Sequence, residues 1–193
     1  MRTSLFAAIA AGTVLFSGCA NNEEPARQAL AAAEASLAEV RVDAAKYAPQ
    51  ELESAEARLA RAKEDLAKKE YKDVLGGATQ LSKETAALKE VVVSKQTQAV
   101  AATHEWEALS EEVPKMVETI DKRVAELDKK KMFRGIKKED FESAKATFAS
   151  MKSTWAEAST DHSAGKPVAA TTKAKSAKSM GDQLYETLDI KKT

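Results

Sequence analysis

From Pro25 onward the apolar residues recur at intervals of three and four, which restricts this chain to packed helices. Leu30, Ala33, Leu37, Val40, Ala44 and Tyr47 form one series, and Leu52, Ala55, Leu59, Ala62 and Leu66 a second. A third runs from Val74 through Leu81, Leu88, Lys95, Ala102, Trp106, Leu109, Val113 and Ile120 to Leu127. Phe141, Ala144, Phe148, Met151 and Trp155 make a fourth; Val168, Ala170, Ala174, Ala177, Gly181, Leu184 and Leu188 make a fifth. A 3–4 alternation is the seam of helices that cross at shallow angles in bundles and coiled coils. Composition agrees: about a fifth of the chain is alanine, with 7 glycines, 4 prolines and 5% aromatics. Such a balance excludes a β-sandwich, a parallel α/β enzyme fold and a disordered tail.

Four places interrupt the pattern. Tyr47-Ala48-Pro49 breaks the phase, and Pro49 suits the first turn of a new helix. Pro114 either kinks the third series or starts a new helix after Ser110. Met132-Phe133-Arg134-Gly135-Ile136 reads as a turn, and Ser159 to Pro167, rich in Ser, Thr, Asp and Gly, reads as the clearest loop. A helix from Val74 to Leu127, 54 residues long, would extend roughly 81 Å.

An internal repeat at an offset of 89 relates Glu53-Ser54-Ala55 to Glu142-Ser143-Ala144. Ala57, Ala60, Lys63 and Ala67 recur as Ala146, Ala149, Lys152 and Ala156, and Leu52, Leu59 and Leu66 correspond to Phe141, Phe148 and Trp155. The expected fold is all-α: an elongated antiparallel helical bundle of two three-helix units, residues 24–103 and 104–193, sharing a long central helix.

The N-terminus is read as a targeting segment. Arg2 supplies a positive charge, and the uncharged apolar run from Leu5 to Phe16 is too short for a ~30 Å hydrocarbon core, which needs about 20 residues. The run ends in Phe16-Ser17-Gly18-Cys19, which resembles the lipobox of bacterial lipoproteins; Phe16 stands where Leu, Val or Ile is usual. The resemblance implies a signal peptide over 1–18, cleavage between Gly18 and Cys19, and diacylglycerol and N-acyl (palmitate-type) chains on Cys19. Cys19 is the sole cysteine, so a disulfide framework within the chain is excluded. Ala20 follows it in place of the Asp that resembles an inner-membrane retention signal, which favours the outer membrane, periplasmic face. Residues 19–24 then form the lipidated cysteine and a polar tether.

The first helical unit, through Tyr47-Ala48-Pro49-Gln50-Glu51-Leu52, Ala55, Leu59, Ala62 and Glu70-Tyr71, resembles a family of bacterial envelope proteins with a helical domain of unknown function. Those proteins look like lipoproteins or secreted chains, some joined to a peptidoglycan-binding domain similar to that of outer-membrane protein A. Here a second helical unit follows instead, so the resemblance gives no ground for direct peptidoglycan binding.

Residues for chemistry are scarce. His104 and His162 are the only histidines. His104 shares a helix face with Glu107, Ser110 and Glu111, but zinc sites need three or four placed ligands, and a solvated face is the expectation. His162 is expected in a solvent-exposed loop, and Trp106 and Trp155 in the core. Phosphate-loop, nucleophile-elbow and dinucleotide glycine patterns are all missing from the sequence. The chain carries 30 basic and 30 acidic residues, which gives no electrostatic case for nucleic acid. Lys129, Lys130, Lys131, Arg134, Lys137 and Lys138 cluster, and read as a solvated turn. The sequence therefore implies no catalytic residue, metal or cofactor. It points to a non-enzymatic, lipid-anchored scaffold, spacer or adaptor that binds an envelope protein; the alternative is a small-ligand-binding or stress-sensing helical module.

Overall fold

A computed structural model describes residues 22–130 and 135–191. Among them are five α-helices and no strand: α1 (Glu23–Tyr47), α2 (Pro49–Ala67), α3 (Tyr71–Lys130), α4 (Lys138–Ser163) and α5 (Pro167–Thr187). The all-α class expected from the 3–4 spacing is what the chain adopts. The segment read as a targeting signal, with Gly18 and Cys19, lies outside the described residues, as do Met132, Phe133 and Arg134.

The helices make two compact units. One takes the chain up to Val42 together with Gln50–Ala87; the other takes Asp43–Pro49 and the chain from Leu88 onward. In the first, the seams of α1, α2 and the start of α3 close on Leu30, Leu37, Leu52, Leu59, Val74 and Leu81, none more than 8% exposed. Many of the intervening seam residues are alanine, which lets helices approach closely; the Cβ position of Gly77 lies 3.4 Å from that of Ala62. Ion pairs Arg41–Glu56 (2.6 Å) and Lys63–Glu34 set the antiparallel register of α1 and α2, and Arg58–Glu84 (2.7 Å) that of α2 and α3.

The second unit uses the later part of α3 with α4 and α5. Its core contains larger side chains: Trp106, Ile120, Phe141, Phe148, Met151 and Leu184. Gly181 on α5 makes room for two of them, since a Cβ there would come within 2.6 Å of Met116 Cε and 2.9 Å of Met151 Cε. Thr171, also buried, donates its hydroxyl to the Ala102 carbonyl of α3 at 2.8 Å.

Pro114 neither ends nor restarts a helix, because α3 runs through it. The proline is exposed while its neighbour Val113 is fully buried, so the ring sits on the outer side of the helix and the buried seam is left intact. The expected loop from Ser159 to Pro167 is mostly helix. α4 continues to Ser163 with Ala158 buried in the core, and the hydroxyls of Ser159, Thr160 and Ser163 donate to carbonyls four residues back at 2.9–3.0 Å, so they do not compete for the backbone outside the helix. Only Ala164, Gly165 and Lys166 connect α4 to α5.

The two hairpins are built alike. α2 ends with Lys69 in the left-handed region (φ 64°), Lys69 N–H donating to Leu66 O and Glu70 N–H to Asp65 O. α4 ends with Gly165 (φ 71°), Gly165 N–H donating to His162 O and Lys166 N–H to Asp161 O. Both are the helix stop in which one left-handed residue redirects the last carbonyls. α2 has 19 residues and α4 has 26, so the second hairpin is longer by one heptad and keeps its apolar phase.

Candidate functional site

The C-terminal part of α4 takes part in the most distinctive side-chain arrangement in the described residues. Trp155 and His162 are seven residues apart on α4, two turns and about 10.5 Å along the axis. Trp106 of α3 stacks on both: ring centroids are 5.3 Å from Trp155 and 4.4 Å from His162, each with an interplanar angle of 8°. These distances place Trp106 between the other two rings, making a parallel three-ring stack. Trp106 is buried, Trp155 partly buried and His162 exposed, so the stack begins in the core and emerges at the end of α4. His162 is thus a last-turn helical residue with one ring face covered, not the loop histidine of the sequence expectation.

Ion pairs hold α5 beside this arrangement. Lys173 reaches Asp161 (2.8 Å) and Glu157 (3.1 Å) on α4, and Lys175 reaches Glu105 (2.6 Å) on α3. The Lys173 ammonium lowers the Asp161 carboxyl below its ordinary range, and the Asp161 and Glu157 carboxylates raise the lysine.

Among the described residues, hollows open on this unit. A cleft of about 670 Å³ lies between the start of α4 and the end of α5, lined by polar side chains including Asp140, Gln183, Glu186 and Asp189. A second, of about 350 Å³, is lined by Glu112, Met116, Lys178, Asp182 and Tyr185. There Lys178 pairs with Glu112 at 2.7 Å and Asp182 at 3.2 Å, and those two carboxylates raise its affinity for the proton. The third, about 300 Å³, adjoins His162 and is also lined by Lys46, Tyr47, Val100, Thr103 and Pro167.

His104 stands where the sequence predicts, on a solvated face. Its Nδ1 is 3.7 Å from a Glu107 carboxylate oxygen, with the two side chains 80% and 72% exposed. No group of three His, Cys, Asp or Glu residues among the described residues is placed to hold a metal ion. No helix among them is long and apolar enough to cross a membrane. The stack itself went unread in the sequence. The only available signal was the i,i+7 pair Trp155 and His162, which does not name the ring that enters between them. The chain matches no protein-family model, no curated protein and no solved structure.

Proposed function

We propose that this chain is a lipoprotein held by acylated Cys19 on the periplasmic face of the outer membrane, where it acts without chemistry as a scaffold, spacer or adaptor. One observation carries the reading: a charge-free apolar run ends in Phe16-Ser17-Gly18-Cys19, and the sole thiol of the chain falls at the position that lipidation requires. Several acyl chains, each methylene contributing about 0.8 kcal/mol on burial, make a stable anchor. A short polar segment then leads to the first helix at Glu23. The faces beyond the seams are densely charged and joined by exposed ion pairs, as suits recognition of a partner protein by helix surfaces. His104 stands on a solvated face, and His162 is engaged in a stack.

The decisive experiment expresses the full chain with its leader in a diderm bacterium and compares wild type with Cys19→Ser. Wild type is expected in the outer-membrane fraction, with an intact mass raised by its acyl groups. The serine variant should lack that mass and leave the membrane. An unmodified Cys19 in the wild-type protein would overturn the anchor. Partners crosslinked in intact envelopes and lost with Cys19→Ser would identify what the scaffold holds.

A further inference from the structure

We propose that the hollow beside His162 is a binding site for a planar aromatic anion, whose ring lies on the outer face of the imidazole as a fourth member of the Trp155–Trp106–His162 stack. This goes beyond the anchoring and scaffolding reading and does not depend on it.

Three observations carry the inference. The first is the floor. A lone exposed histidine ring can rotate, but this one is laid flat at 4.4 Å on Trp106, which is laid in turn on Trp155. One face of the imidazole is covered and the residue remains exposed, so a flat, oriented surface is presented outward. Aromatic rings prefer offset-parallel partners on such a surface, and the interaction adds to the burial of area.

The second is the space. α4 ends one residue after His162, and Gly165, in the left-handed region with nothing within 4 Å of its Cβ position, turns the chain away. What remains is a hollow of about 300 Å³ with Tyr47 and Val100 in its walls. Val100 is 58% exposed, so apolar surface is available for a ring to cover. The volume is at the lower end of small-molecule sites, ~300–1,000 Å³, and matches one fused bicyclic ring rather than a larger cofactor.

The third is charge. Lys46 is the only charged residue lining this hollow; its Nζ lies 5.0 Å from the Tyr47 ring centroid, at the rim. The cleft between α4 and α5 is lined by the carboxylates Asp140, Glu186 and Asp189, and in the second hollow Lys178 is already paired with Glu112 and Asp182. An aromatic ring bearing a carboxylate or sulfonate therefore finds here a cation with no carboxylate beside it in the lining, whereas it would meet repulsion in the first cleft and, in the second, a lysine held by two carboxylates.

The test uses 2-naphthoate as the probe on the full mature chain, followed by NMR titration. Saturable shifts are expected at His162, Tyr47 and Val100. Cyclohexanecarboxylate, an anion without a planar ring, should bind at least ten times more weakly. His162→Ala removes the floor and should weaken naphthoate binding about tenfold or more, in line with single-ring stacking elsewhere. Lys46→Gln should abolish the preference for 2-naphthoate over uncharged 2-naphthylmethanol. Val100→Trp, at an exposed position, fills the hollow while leaving the stack, and should abolish binding with an unchanged melting temperature. Failure to saturate at millimolar naphthoate, shifts confined to the other hollows, or equal binding by wild type and Val100→Trp would each overturn the proposal.

Discussion

Two buried threonines at the residue scale show how one side chain takes opposite energetic roles. The Thr171 hydroxyl is satisfied by the Ala102 carbonyl, while Thr85 is fully buried and its Oγ1 has no hydrogen-bond partner. Removing a hydrogen-bonded group costs about 1 kcal/mol, and removing an unsatisfied one of the same shape relieves a desolvation penalty of roughly 1–3 kcal/mol. Thr171→Val should therefore destabilise the protein by about 1 kcal/mol, and Thr85→Val should stabilise it by a similar amount, read by urea denaturation. A loss at Thr85 would contradict the unsatisfied hydroxyl. The same measurement separates core from surface. Leu59 is 8% exposed, and Leu59→Ala should cost roughly 2–5 kcal/mol. The solvated His104 should tolerate alanine within about ±0.5 kcal/mol. The reverse order would restore a functional role for His104.

The most informative feature among the elements is a proline inside the 60-residue helix α3. Pro114 removes one backbone donor on the solvent side, while Val113, Met116 and Ile120 keep the buried seam in phase. A helix-interior proline costs about 3 kcal/mol relative to alanine. Pro114→Ala is expected to raise stability by up to about that amount and to leave the helical content measured by circular dichroism unchanged or slightly higher. Lower stability would show that the proline is needed where it stands. Between α2 and α3, the Arg58 guanidinium holds the Glu84 carboxyl below its ordinary 4.5, with a smaller contribution in the same direction from Gln80. A depressed folded value means that the pair stabilises above pH 4.5 and that this contribution fades as the pH falls through the depressed value. Arg58→Met should thus cost about 0.3–1 kcal/mol near neutrality, the range for exposed pairs, and progressively less on acidification below pH 4.5. A penalty that persists undiminished at pH 2–3 would place the effect in lost packing of the arginine stem.

Across the whole molecule, period and repeat carried most of what the amino-acid order determines. The 3–4 spacing placed the helices because burying one stripe is the only way an alanine-rich chain with few turn formers can remove its apolar groups from water. The repeat at an offset of 89 joined Leu52 and Leu59 to Phe141 and Phe148, and these are indeed buried seam residues of α2 and α4. Local signals were weaker where tertiary contacts override them. The Ser/Thr stretch after Trp155 has loop composition, yet Ala158 is drawn into the core while the hydroxyls bond within the helix, and α4 runs an additional heptad. Pro114 was ambiguous for a similar reason, since only the burial of its neighbours decides whether the helix continues. The lipidation proposed at Cys19, by contrast, would rest on a processing sequence, which needs no fold to be read. Period and repeat depend on the order of residues along the chain, and that order is enough to read them. The ring that enters between Trp155 and His162, the threonine that finds a carbonyl, and the hollow that Lys46 overlooks depend on which helices meet and at what height. Those are set only when the seams pack, because residues dozens of positions apart must reach the same layer before any of these contacts exists.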